Sequence, residues 1–244
     1  MANHDRIFTP YKNKRSFEEI SNEIKALIFE GVFKPGHKLP SEIEIARQFN
    51  VSRQTIREAM RILELSGFIT IQRGVKGGPL VQDTIEGRIT NLFVDGFKFK
   101  KISLEELTIA RFDIERAMLI HVFQNADDSD IETLNTNILK ARKKLDKAVI
   151  AFEENVDFHK LLAKASKNYI YALVVESIMA IVSDFRSRLE SVGIERSRRV
   201  TNYHEEILKG IINRDFDKTM KLFEEHLWEV RQLLTSSQPT ITRT

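Results

Sequence analysis

The chain has 244 residues, 42% of them hydrophobic, and a formal net charge of +3. This length and composition predict one or two domains with a sizeable core. The absence of cysteine excludes disulfides and thiolate metal sites. Charged residues interrupt every apolar stretch before about 18 residues, and the first residues do not resemble a signal peptide. We therefore expect a cytoplasmic protein without a membrane partner.

Three helices and a hairpin are predicted in the first 83 residues. Capping boxes at residues 16–19 and 41–44 open a first and a second helix, and Ser52 caps a third helix directly after Asn50-Val51. Period-two alternation over 68–72, a glycine-rich turn and a second short strand then predict a hairpin. Two short helices joined by so brief a turn, followed by a hairpin, predict a winged helix-turn-helix.

Positive charge is concentrated in this N-terminal part. Residues 1–83 carry the whole excess of Lys and Arg over Asp and Glu, and the remainder of the chain is neutral. Arg53, Arg57 and Arg61 recur at every fourth residue, so they form one ridge on the third helix. A solvated charged face is the simpler explanation of this ridge, but its place on the second helix of the motif favours contact with double-stranded DNA.

The rest of the chain is predicted to be an antiparallel helical bundle. Helical periodicity and capping signals predict six or seven helices, and no strand pattern occurs after Val81. A capping box of Ser103 with Glu106 opens one long helix, and Ser129 with Glu132 opens the next. Later helices are expected near 150–167, 169–190, 195–213 and 215–234.

Three histidines lie on the apolar faces of these helices. His159 shares its face with Asn155, four residues earlier, while His204 and His226 lie on two later helices. A divalent transition metal, with zinc or nickel as the first candidates, would explain imidazoles in such positions, and the Asn155 oxygen could complete the ligand set. The alternative is that each histidine is buried separately and satisfied by a hydrogen bond.

Several segments carry a family resemblance: Leu39-Pro40-Ser41-Glu42, Val51-Ser52-Arg53, Arg57-Glu58-Ala59 and residues 63–69. They resemble the winged-helix signature of the GntR family of bacterial transcription regulators. The helical remainder, which includes Arg111 and the three histidines, resembles the FCD effector-binding domain of the FadR subfamily. The resemblance implies a DNA-binding domain over 1–83 and a helical effector-binding and dimerisation domain over 84–244.

The resemblance also implies functional residues in both domains. DNA contacts are expected from the start of the third helix and from the hairpin, at Ser52, Arg53, Gln54, Thr55, Arg57, Arg73, Gly74 and Lys76. Ile43 departs from the family, whose members usually have arginine there. The metal ligands of relatives correspond to Asn155, His159, His204 and His226.

A neutral amide at position 155 leaves the charge of a divalent ion uncompensated, which favours an anionic effector. The simplest such effector is a small carboxylic acid, with Arg111 as a second anchor. The alternative for Arg111 is an ion pair with Glu115, one helical turn later.

Together these features predict a ligand-responsive transcription repressor that binds a pseudo-palindromic operator as a homodimer and is not an enzyme. A helical mononuclear metallohydrolase is the rival hypothesis, but no Asp or Glu stands out as a general base. A non-specific architectural DNA binder would need a strongly basic chain, which the neutral C-terminal part disfavours.

Overall fold

The computed structural model describes residues 16–72, 74, 77–83, 85–191 and 193–235, and the chain divides into two compact units, Met1–Ile85 and Glu86–Thr244. The described residues form eleven helices and a two-stranded sheet, which confirms the mainly helical fold class. None of the described helices is long and apolar enough to cross a membrane.

The N-terminal unit contains three helices and a hairpin, namely α1 (Ser16–Phe29), α2 (Glu42–Phe49), α3 (Arg53–Leu65), β1 (Ile69–Gln72) and β2 (Gly78–Val81). Ser41 and Ser52 cap α2 and α3 through their hydroxyls, as expected. The turn between them depends on Asn50, which adopts left-handed geometry with φ 52°. The strands pair antiparallel with Ile69 opposite Val81, and fully buried side chains of α3, such as Ile56, form the core.

All elements in the described part of the C-terminal unit are helices: α4 (Ile85–Lys98), α5 (Leu104–Asn125), α6 (Asp128–Asp146), α7 (Phe152–Ala165), α8 (Tyr169–Ser183), α9 (Arg186–Ser191), α10 (Ile194–Ile212) and α11 (Phe216–Thr235). A large apolar core joins α5, α6, α7, α8, α10 and α11. Helices α10 and α11 approach closely at Gly210, where an added Cβ would lie 1.9 Å from the Thr219 hydroxyl oxygen.

Two predictions for this unit are wrong in detail. The N-cap of α6 is Asp127, which forms a capping box with Asp130, so the helix begins before the predicted Ser129 signal. The helix expected over 169–190 is broken into α8 and α9. At the break, the amide of Phe185 donates to the carbonyl three residues earlier, and its ring packs edge-on against Phe97 at 5.7 Å between centroids.

Candidate functional site

The N-terminal turn of α3 presents polar side chains to solvent. Ser52, Arg53, Gln54 and Arg57 are exposed and Thr55 is half-buried. The Arg57 guanidinium lies 3.2 Å from the Glu42 carboxylate of α2, so an ion pair holds it beside the second helix.

The hairpin part of the expected DNA contact is described only at Gly74. This residue is exposed, and its φ of 109° is one that glycine adopts without strain. Arg73 and Lys76 lie outside the described residues.

Three imidazoles from three helices meet inside the C-terminal unit. His159 of α7, His204 of α10 and His226 of α11 are all buried, and together we call them the imidazole cluster. The Nε2 atom of His226 lies 3.1 Å from Nε2 of His159 and 3.3 Å from Nε2 of His204. The three histidines are far apart in the chain, but their Nε2 atoms converge on one point in the fold.

These separations fit ligands of a single ion. Imidazole nitrogens bind zinc at about 2.0–2.1 Å, so two neighbouring nitrogens on one ion lie about 2.8–3.0 Å apart in octahedral geometry and about 3.3–3.4 Å apart in tetrahedral geometry. Burial is the main cause that lowers the pKa of each imidazole in the cluster, well below its usual value for His204 and His226. The rings are therefore neutral, which is the form that binds metals.

A buried carboxylate fixes the orientation of one ring in the cluster. Glu115 of α5 is completely buried, and its Oε2 lies 2.5 Å from Nδ1 of His159. Burial alone would raise the pKa of Glu115, but Arg111 and His159 hold it at about 2. The ionised carboxylate accepts a hydrogen bond from the Nδ1–H group of His159. The Nε2 lone pair of His159 is therefore left facing the other two rings.

The cluster is hard to satisfy by hydrogen bonds alone. Nδ1 of His226 is buried and has no partner among the described residues. If Nδ1 carries the proton on both His159 and His226, two Nε2 lone pairs face each other at 3.1 Å. A cation between the rings would remove this repulsion, so the donor set fits a metal ion.

The structure also places Asn155 and Arg111 near the cluster. Asn155 of α7 lines the same cavity as His159 and His226, and its Oδ1 accepts a hydrogen bond from the Thr201 hydroxyl of α10 at 3.3 Å. Arg111 is buried, with Nε 2.5 Å from Oε1 of Glu115 and Nη2 3.2 Å from Nε2 of His159. The ion pair considered as the alternative for Arg111 is therefore present, and the same side chain also contacts the cluster.

A cavity of about 70 Å³ lies beside the imidazole cluster. The remaining wall is mostly apolar, and the polar side chains on it are Arg111, Asn155, His159, Arg196, Ser197 and His226. Sequence patterns did not single out Arg196, because it is one of three arginines in the first part of α10 and nothing local distinguishes it. The role of Glu115 beside His159 was missed for a similar reason, since the contact joins two helices.

Comparison with known proteins covers both units. The model for bacterial regulatory proteins of the gntR family matches residues 17–76, and the FCD domain model matches residues 106–228, about half of the chain. A transcriptional repressor of the HTH type, NanR from Klebsiella aerogenes, is 26% identical over 224 residues, which are 91% of this chain and 86% of that protein. NanR from Edwardsiella tarda is 25% identical over 221 residues, covering 89% of this chain and 85% of that protein.

A solved structure supports the same fold. Streptococcus agalactiae GntR superposes with a TM-score of 0.63 at 21% identity, covering 88% of this chain and 99% of that one. The relatives named above are regulators and not enzymes. The chain therefore belongs to the gntR family of bacterial regulatory proteins and carries an FCD domain.

Proposed function

We propose that this protein is a transcription repressor that binds a pseudo-palindromic operator as a homodimer and releases it when a small organic acid binds. The observation that carries the DNA-binding part is α3, a capped helix after a tight turn with Arg53 and Arg57 exposed on its first turns. The relatives named as repressors support the direction of regulation. A two-fold operator matches a dimer because each half-site receives one recognition helix.

The operator contact is tested with two arginines of one helix. Arg57→Ala should abolish specific binding, since arginine on a recognition helix reads guanine through two hydrogen bonds. Arg61→Ala, also exposed but one turn further along α3, is the matched control and should weaken binding only through charge. The readout is a gel shift at physiological salt on an operator selected from random duplexes. Retained specific binding by Arg57→Ala would remove this residue from the contact.

The C-terminal unit is proposed to hold a divalent ion, zinc or nickel, through the imidazole cluster, with Asn155 as a fourth ligand. Support comes from the 3.1 and 3.3 Å separations of the Nε2 atoms and from the neutral state of the rings. Such an ion acts as a Lewis acid that attracts oxygen anions. Nε2 of His159 cannot accept from Arg111 and bind an ion at once, so metal binding would free an Arg111 donor for the effector.

The effector is proposed to be a carboxylate held between the metal centre and Arg111, in the adjoining cavity. Three neutral imidazoles and a neutral amide leave a divalent ion with its full charge, which an anionic ligand neutralises. Binding of the acid then lowers the affinity for the operator through linkage between the two sites.

Metal binding and effector binding need separate measurements. Native mass spectrometry of the purified protein gives metal content and oligomeric state together, and His226→Ala should lose the metal. His121→Ala is the control, because His121 packs against Tyr171 and is not part of the cluster. Equal metal content in both variants would exclude the site. Release of operator DNA on addition of short carboxylic acids, without consumption of the acid, would separate a regulator from a metallohydrolase.

A further inference from the structure

Arg196 has unused hydrogen-bonding capacity inside the C-terminal unit. It lies in the first turn of α10, and its Nη1 contacts Oε2 of Glu229 at 3.1 Å. Its Nε and Nη2 atoms are buried and have no hydrogen-bond partner within the described part of the chain. A buried donor on a charged group costs folding free energy when it has no hydrogen-bond partner. We therefore asked what could pair with these two atoms of Arg196.

The charge around Arg196 is also unbalanced. Glu229 contacts both Arg196 and Arg199, and it accepts a hydrogen bond from the Tyr203 hydroxyl at 3.0 Å. One carboxylate cannot neutralise two guanidinium groups. Arg111, the other arginine on the cavity wall, is balanced by its own carboxylate, Glu115. Of the two arginines that share Glu229, Arg196 is the less exposed, at 21% against 59% for Arg199, so solvent compensates its charge less.

The cavity connects this charge to the imidazole cluster. Arg196, His159 and His226 line the same space, with apolar side chains such as Ile150 and Val230 elsewhere on its wall. Its volume of about 70 Å³ corresponds to roughly five to seven water positions at about 10–15 Å³ each. A ligand of this size has a short carbon chain. The cavity wall offers two kinds of site for anionic groups, Arg196 and the imidazole cluster, which favours two charged groups on that chain.

We propose that the effector is a short-chain diacid, with one carboxylate at the imidazole cluster and the second paired with Nε and Nη2 of Arg196. This inference rests on the proposed function, since it assumes that a metal-bound acid is the effector. Nε and one Nη of a guanidinium form a fork that matches the two oxygens of a carboxylate. The second acidic group would satisfy both orphaned donors and balance the second guanidinium beside Glu229.

The test compares matched acids by titration calorimetry on zinc-loaded full-length protein. Succinate and glutarate are the diacid probes, while butyrate and valerate have the same chain lengths with one acidic group. The diacids should bind about tenfold to a hundredfold more tightly, as expected for hydrogen bonds to a charged group. Arg196→Gln should reduce diacid affinity to that of the monoacids and leave monoacid affinity and zinc content unchanged.

Arg199→Gln is the matched control, because Arg199 contacts the same Glu229 without lining the cavity. It should keep the preference for diacids. Arg196→Lys retains the charge but loses the fork, so it should give an intermediate preference even if the glutamine variant folds poorly. Equal binding of monoacids and diacids would overturn this inference but not the proposed function. A preference for diacids that survives Arg196→Gln would do the same. Absence of zinc or of any acid binding in the unaltered protein would overturn the proposed function with it.

Discussion

Replacement of Glu115 by glutamine should strongly destabilise the C-terminal unit. Glu115 is 0% exposed and Arg111 is 4% exposed, and their side chains lie 2.5 Å apart. An amide has nearly the same shape as the carboxylate, but it leaves the charge of Arg111 buried without a counter-charge. Removing one partner of a buried ion pair costs about 3–5 kcal/mol.

The lowered pKa of Glu115 reflects the same interaction and indicates a cost of the same order. Folding lowers this pKa from 4.5 to about 2, and one unit corresponds to about 1.4 kcal/mol, so the ionised carboxylate contributes about 3 kcal/mol. Because the pKa is lowered, this contribution is present above pH 4.5 and is lost as the pH falls towards 2. Glu115→Gln should therefore cost about 3–5 kcal/mol at neutral pH.

Urea denaturation of metal-free protein provides the assay, followed by the fluorescence of Trp228, the only tryptophan in the chain. Its position in α11 makes the signal specific to the C-terminal unit. Glu205→Gln is the control, because the Glu205 side chain pairs with Arg142 at the same 2.5 Å distance but is 28% exposed, and it should cost less than about 1 kcal/mol. Adding Arg111→Met to Glu115→Gln should recover much of the loss. Equal costs for the two glutamine variants would refute the reasoning.

Three further predictions concern the same unit. Asn155→Asp should tighten zinc binding by roughly tenfold or more, because a carboxylate supplies the charge that the amide lacks; competition with a chromogenic chelator measures this, and unchanged affinity would argue against Asn155 as a ligand. Burial lowers the pKa of all three cluster imidazoles, so below about pH 6.5 the unfolded chain binds protons that the folded chain does not. The stability of metal-free protein should therefore fall from pH 7.5 to 5.5, by at most about 4 kcal/mol per pH unit, and a flat urea midpoint would contradict this. Gly210→Ala should cost about 1–3 kcal/mol through its clash with Thr219, while Gly87→Ala, which meets no atom within 4 Å, should be neutral or stabilising in the same denaturation assay.

Local sequence signals predict the start of a helix well when only one capping box lies near that start. The Ser103 and Glu106 capping box opens α5 as expected. The start of α6 was misplaced because an equivalent box of Asp127 and Asp130 lies two residues earlier and takes the cap. The break after α8 was missed because it accompanies the packing of Phe185 against Phe97, a contact between residues that are distant in the chain.

The candidate site likewise has features that the sequence predicts and features that it does not. Helical spacing places each histidine on an apolar face, so convergence of the three rings could be expected from the sequence. The contact between Glu115 and His159 joins α5 to α7, and no periodicity along either helix reveals it. Arg196 differs from its neighbouring arginines only in what surrounds its guanidinium after folding.

The positions of the cluster histidines have a topological consequence. An ion bound to all three would tie α7, α10 and α11 together at points 45 and 22 residues apart in the chain. Such a reversible metal cross-link would restrict the unfolded chain much as a disulfide does, and this protein has no cysteine to form a disulfide. Chelation should then speed proteolytic nicking of these helices, so the supply of metal would control how long the protein survives as well as what it senses.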